Sequence, residues 1–185
     1  MSATNRGGER KPQDFYATPE WCIRGFLEAH PISHHKRILE PTAGNGNICR
    51  ALREFMHPEA TLTAVELRAE ETEGLRVVAD TVGIGDFRQF HPQEPFDLII
   101  TNPPYSIARE VIEHCFSISP EAEIIMLLRT AFLESRERFQ FWQAHPADAV
   151  YVHAVRPSFT GTGTDSTAYG WIVWNSSSFK GIKVI

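Results

Sequence analysis

This sequence has no long apolar run, no cysteine pair, no excess of positive charge and no metal-binding histidine spacing. Each absence removes a class of protein. The longest uninterrupted apolar stretch, Ile124 to Leu128, is five residues, whereas a membrane-spanning helix needs about 20. The first residues are polar and lack the apolar segment of a secretion signal, so a cytoplasmic protein is expected. The three cysteines, Cys22, Cys49 and Cys115, are odd in number and far apart. That argues for reduced thiols and against a disulfide framework or a zinc ribbon. None of the eight histidines falls in an HExxH pattern, so no metal site is expected. His34 and His35 read as solvated side chains in a loop. The net charge of −5, from 18 Lys and Arg against 23 Asp and Glu, is not the basic balance usual for a nucleic-acid binder. A role on nucleic acid must then rest on local surfaces, and charge alone favours a small-molecule or protein partner.

What is present is the composition of a folded domain: 185 residues, 42% hydrophobic and 22% charged, enough to bury a core without cross-links. Residues 1–12 read as a flexible basic tail, and residues 13–185 as a single domain. Thr18 and Pro19 suit the N-cap and first position of a helix whose apolar face holds Trp21, Cys22, Phe26 and Leu27. Strands then alternate with helices. Strands are expected at 37–40, 61–66, 82–84, 97–101, 123–128, 150–155 and 168–174. Helices are expected at about 47–56 and 70–79, from the Ser106 cap onward, and at 134–142. Such alternation builds an α/β fold with a mostly parallel sheet and helices on both faces. The last two of the seven strands lack a helix between them, so the seventh is expected to run antiparallel. Trp171 and Trp174, three apart in that strand, point to opposite faces.

Two turns carry chemistry. Glu40-Pro41-Thr42-Ala43-Gly44-Asn45-Gly46 joins the first strand to its helix, where a doubly wound sheet binds nucleotide-like ligands. Its glycines let backbone approach a ligand, and the helix N-terminus offers N–H groups. Glu66, ending the second strand 20 residues beyond Gly46, suits the two hydroxyls of a ribose. The third glycine of the dinucleotide fingerprint is missing, since Cys49 stands there. Glu40 adds negative charge where a pyrophosphate would sit, which favours a cationic ligand such as a sulfonium or an amine over NAD.

The second turn, Asn102-Pro103-Pro104-Tyr105, follows the fourth strand directly. Two prolines stiffen it into an extended loop. The Asn102 side-chain carbonyl and the Pro103 backbone carbonyl are two acceptors that suit a planar –NH2 group, and Tyr105 offers a face for stacking. Holding both N–H protons draws the nitrogen lone pair out of conjugation and makes it nucleophilic without a strong base.

With these turns the sequence resembles the S-adenosylmethionine-dependent amino methyltransferases, in particular adenine-N6 DNA methyltransferases whose cofactor motifs precede the catalytic one. The resemblance runs from Asp14 to Trp174. It implies a Rossmann-like seven-stranded methyltransferase sheet and S-adenosylmethionine as cofactor. It also implies cofactor contacts from Tyr16, Thr18 and Pro19, then from Glu40, Pro41, Ala43, Gly44 and Gly46. Glu66 with Leu67 would hold the ribose, and Asp86 with Phe87 the cofactor's adenine. The catalytic motif is Asn102 to Tyr105, with Asn102 also bordering the cofactor. Arg156 to Phe159, before the Gly161–Ser166 loop, is similar to a late motif of small phage and prophage enzymes, in which an aromatic packs on the extruded base. Phe159 is therefore a base-contact candidate, the other reading being a core phenylalanine.

The resemblance implies direct transfer to a flipped-out adenine and no metal. Eleven residues follow Trp174, so no separate target-recognition domain is expected. Sequence reading then falls to short segments carrying Arg129 and Arg156, to a second copy, or to a partner subunit. Arg136 and Arg138 read as a solvated helix face. DNA is the expected partner. The alternatives are an RNA adenine-N6 methyltransferase, a protein glutamine-N5 methyltransferase and a non-catalytic cofactor-binding subunit.

Overall fold

The structure, a computed structural model, describes residues 17–159 and 167–185. The basic tail, Tyr16 and the Gly161–Ser166 loop lie outside the described residues. Eight strands form one sheet: β1 (Arg37–Glu40), β2 (Thr61–Glu66), β3 (Thr81–Ile84), β4 (Leu98–Thr101), β5 (Glu123–Arg129), β6 (Ala149–Val152), β7 (Tyr169–Trp174) and β8 (Gly181–Val184). Five helices accompany them: α1 (Glu20–Ala29), α2 (Asn47–Phe55), α3 (Thr72–Val78), α4 (Ala108–Ile118) and α5 (Phe139–Ala144). The strand order is β3-β2-β1-β4-β5-β7-β6-β8. β1 to β5 are parallel, and β7 runs antiparallel to both β5 and β6.

Strand alternation sorts the core into two layers. Ile38, Leu98, Ile100, Ile125 and Leu127 point to the layer closed by α1, α2 and Leu75 of α3. Leu39, Ile99, Ile124, Met126 and Leu128 point to the layer closed by α4 and by Phe141 of α5. Because both faces are covered, β4 reads as an unbroken buried run. Trp171 and Trp174 enter opposite layers, and both are buried. Among the described residues no helix is long and apolar enough to cross a membrane.

Several local expectations are corrected. β8 is an eighth strand, pairing parallel with β6 at the sheet edge; all four of its residues are exposed, so it carries no burial pattern to read. Pro19 occupies the N-cap position of α1, and Thr18 does not cap it. Trp21 is 46% exposed, and Ile23 takes its place on the buried face. Ser106 sits in a 3-10 turn (Tyr105–Ile107) rather than capping α4. The helix expected over 134–142 is interrupted by Ser135 at φ 133°, and only α5 is α-helical there. Arg138 is half-buried, with its guanidinium 4.6 Å from the Phe132 ring centroid and Nη1 donating to the carbonyls of Ala131 and Glu134. His35 is buried rather than solvated.

Candidate active site

Strand order reverses between β1 and β4. β1 leads outward to β2 and β3, and β4 leads the other way to β5. The carboxyl ends of two neighbouring parallel strands therefore diverge into loops on opposite faces, opening a crevice between them. Glu40 ends β1 and Thr101 ends β4, so both chemistry-bearing turns begin at this crevice. The Thr42 and Thr101 hydroxyls bond across it at 2.6 Å.

The glycine turn is shaped by backbone. Gly44 (φ 56°) and Gly46 (φ 80°) are left-handed, and a Cβ on Gly46 would come within 3.2 Å of Leu75 and Val78. Gly46 opens α2 as its N-cap. The turn is tied down by Ala43 N–H donating to the Val65 carbonyl (2.9 Å) and Gly44 N–H donating to Glu66 Oε2 (2.7 Å). The resulting cleft encloses roughly 850 Å³, counting its open mouth. Thr18, Pro41, Ala43, Gly44, Glu66, Leu67, Asp86, Phe87, Asn102 and Pro104 line it. These come from five separate stretches of the chain, and the fold brings them around one cleft.

Other expected residues stand behind or beside the cleft. Glu40 is fully buried beneath the turn. Its Oε1 accepts from Thr42 N–H at 3.4 Å, and its Oε2 has no hydrogen-bond partner among the described residues. Burial pushes its carboxyl up to about 8, against the pull of Thr101 and Thr42, and the Glu66 charge adds to the rise. The Phe87 ring packs into the core against Phe90 and His114. Phe159 is a buried core residue whose ring meets Tyr169 edge-on at 4.8 Å. Arg156 is exposed on the segment after β6. Tyr105 lies half-buried between layers, 5.8 Å from the Tyr169 ring, with the Arg129 guanidinium 4.9 Å from its centroid.

Thr18 links the two ends of the site. Its hydroxyl accepts from Asn102 Nδ2 at 3.0 Å, and its carbonyl accepts from Asn47 Nδ2 at 2.9 Å. With the –NH2 of Asn102 committed to Thr18, the amide presents Oδ1 on its other side. Thr18 thus fixes the orientation of the Asn102 amide.

Sequence reasoning missed Asn47, Arg68, Arg88 and Tyr169. Arg68 Nε donates to Glu66 Oε1 at 2.8 Å and its Nη1 pairs with Glu71. Arg88 folds back on Asp86 in the same way, through Nε at 3.0 Å and Nη2 at 2.6 Å, and its Nη1 reaches Glu110. The guanidinium holds Asp86 below the usual carboxylate range. A signal existed: Glu66-Leu67-Arg68 and Asp86-Phe87-Arg88 repeat one acid-x-Arg pattern just past two neighbouring strands.

The fold is that of the class I S-adenosylmethionine-dependent methyltransferases. One solved structure so described, from Listeria monocytogenes, superposes with a TM-score of 0.61 at 14% identity, over 90% of this chain and 64% of that one. The methyltransferase subunit of a type I restriction-modification system from Streptococcus thermophilus gives a TM-score of 0.66 at 13% identity, over 95% of this chain and 47% of that one. Folds described as RNA methyltransferases also match. By sequence the chain is similar to a type II methyltransferase of Thermus thermophilus, 30% identical over 106 residues. That match covers 57% of this chain and 24% of that protein, so the chain spans about a quarter of its relative's length. No family model matches.

The cleft fits the cofactor of that class. Gly44 backbone lines the cleft, and the Glu66 carboxylate at the end of β2 lines it as an acceptor that ribose hydroxyls would suit. The buried Oε2 of Glu40, without a hydrogen-bond partner among the described residues, is a fitting neighbour for a cationic amine.

Proposed function

We propose that this protein transfers a methyl group from S-adenosylmethionine to the exocyclic N6 of adenine in DNA, acting on a base extruded from its stack. The carrying observation is the Asn102-Pro103-Pro104-Tyr105 turn at the carboxyl end of β4, bordering the cleft, with the Asn102 amide oriented by Thr18. The bound cofactor supplies an electrophilic methyl group. The chain supplies position. Asn102 Oδ1 and the Pro103 carbonyl accept hydrogen bonds from the two N–H groups of the target amine, which localises its lone pair; as N6 takes the methyl, the neutral thioether leaves and N6 sheds one proton to solvent. Tyr105 stacks on the ring. Arg129, now over the Tyr105 ring, gives way to the base and pairs with a neighbouring phosphate. Target reading comes from a partner subunit, a second copy or the short segments around Arg129 and Arg156.

Transfer of labelled methyl to duplex DNA, single-stranded DNA and total RNA, with nucleosides identified by mass spectrometry, tests this reading. N6-methyladenine in DNA supports it. Label confined to RNA favours the second reading, which the RNA-methyltransferase folds among the matches keep in view.

Two further outcomes are expected. Tyr105→Phe keeps most activity because the ring does the stacking, whereas Tyr105→Ala loses about 5- to 150-fold in kcat/KM, the equivalent of about 1–3 kcal/mol of base stacking. Glu40 should make cofactor binding pH-dependent. From the ordinary carboxyl range up to about pH 8, the folded chain holds a proton that the unfolded chain has released, so stability falls as pH rises through that window. A cationic amine beside Oε2 favours the ionised form. Binding then releases a proton, and affinity rises between pH 6 and 8 by up to about tenfold per unit. Calorimetry in buffers of different ionisation enthalpy reads that proton, and Glu40→Gln should abolish it.

A further inference from the structure

At the opposite end of the sheet from the cleft, a second cluster of chemistry-bearing side chains has no part in methyl transfer. Glu123 begins β5 and Arg129 ends it, which separates the cluster from the Tyr105 region by about 20 Å along the strand. Glu123 is 2% exposed. Its Oε1 accepts from His30 Nε2 at 3.0 Å and its Oε2 from His35 Nε2 at 2.7 Å. The ring of His34 lies against that of His35, centroids 3.9 Å apart. His34, His35 and Glu123 each offer a ligand atom, and these atoms lie within 4.8 Å of one another.

We infer that His34, His35 and Glu123 form a binding site for a divalent transition-metal ion of the zinc type. Two imidazoles and a carboxylate are the donor set such ions take. Bond lengths near 2.1 Å put tetrahedral ligand atoms about 3.4 Å apart, so the 2.7 Å contact of His35 opens by about 0.7 Å as the ion replaces its shared proton. The loop between α1 and β1, which carries both histidines, can make that shift without disturbing β5. Of the three ligands His34 is exposed, while His35 and Glu123 are buried.

The surroundings carry the argument beyond ligand count. Ligating carboxylates and imidazoles are held from behind by further hydrogen bonds, and here both kinds are. The second carboxylate oxygen of Glu123 is held by His30, whose Nδ1 is in turn bonded to the Tyr151 hydroxyl at 2.9 Å. His34 Nε2 is bonded to Ser177 Oγ at 3.0 Å. The ion would thereby tie the loop before β1, the start of β5 and the segment between β7 and β8 into one unit.

The test uses the full chain after chelator treatment, titrated with Co2+ and followed by visible absorption, then displaced with Zn2+. One saturating site per chain with the absorption of a tetrahedral ion is expected. His34→Ala, at an exposed position, should weaken Zn2+ binding about 100-fold, and Tyr151→Phe, which loosens only the support of His30, about tenfold. In chelator His34→Ala should melt close to the unsubstituted chain and Tyr151→Phe a few degrees lower, since His30 loses a buried partner, and the melting rise that Zn2+ gives over each variant's own chelator value should shrink in the same order as its affinity. Absence of a saturating site overturns the inference. So does undiminished binding by His34→Ala, which would locate the ion elsewhere.

Discussion

Asn102→Ala is expected to lower kcat for methyl transfer about 10³-fold while the cofactor Kd stays within about threefold. The magnitude follows from what the amide does. An amino group conjugated with a purine ring is a poor nucleophile, and its reactivity depends on acceptors fixed where its N–H protons point. In the proposed reaction Asn102 supplies one of the two, and its orientation is set by the 3.0 Å bond from Nδ2 to Thr18. Alanine removes the acceptor and leaves the Pro103 carbonyl alone. Asn102→Asp separates geometry from charge. A carboxylate still accepts, and the Thr18 hydroxyl can reverse to donate, so this variant should retain activity well above that of alanine. Thr18→Ala should fall between, because Asn102 then keeps its acceptor but loses its orientation. Single-turnover rates at saturating cofactor, with Kd from calorimetry, check all three. Full activity in Asn102→Ala would remove the turn from the chemistry.

How much of this could be read from sequence depended on whether the determinant was local. β1 and β2 are legible residue for residue because apolar runs and turn residues bound them closely. The antiparallel β7 was readable from the lack of a helix before it. The segment after β5 was not. Its charged and aromatic residues fit helical spacing, yet the chain breaks at Ser135, and Arg138 turns inward onto Phe132. Within the site, the glycine turn and the Asn-Pro-Pro-Tyr turn announce themselves because each is a contiguous stretch with unusual backbone demands. What tunes them is not contiguous. Thr18 meets Asn102 across 84 residues, and Tyr169 meets Tyr105 only because β7 inserts beside β5. The His30–Glu123–His35 cluster is the extreme case: nothing near Glu123 in sequence hints at its partners. Burial adds what residue type leaves open, as at Phe159, whose ring packs into the core against Tyr169.

The second large effect is expected at Glu66. Its carboxylate is 6% exposed and already does structural work, accepting from Gly44 N–H at 2.7 Å, Arg68 N–H at 3.0 Å and Arg68 Nε at 2.8 Å. Ribose hydroxyls would add to that set, and hydrogen bonds to a charged acceptor contribute about 1.5–3 kcal/mol each. Glu66→Ala should therefore weaken cofactor binding about 100-fold or more and leave kcat at saturating cofactor nearly unchanged. It should also cost stability, about 1–3 kcal/mol, because Gly44 N–H and the Arg68 guanidinium lose a buried partner. The two consequences can be told apart. Arg68→Ala removes the ion pair but keeps the carboxylate for the ribose, so its cofactor Kd should stay within about threefold while its stability falls. If both variants lost affinity equally, the carboxylate would be acting through the shape of the glycine turn and not through the ribose. If Glu66→Ala bound cofactor as tightly as the unsubstituted chain, with its fold intact by circular dichroism, the ribose would have to lie elsewhere along the cleft. Glu66→Gln refines the choice. It keeps one acceptor for Gly44 but sets an amide against Arg68, so it should recover the turn's stability in part and cofactor affinity hardly at all.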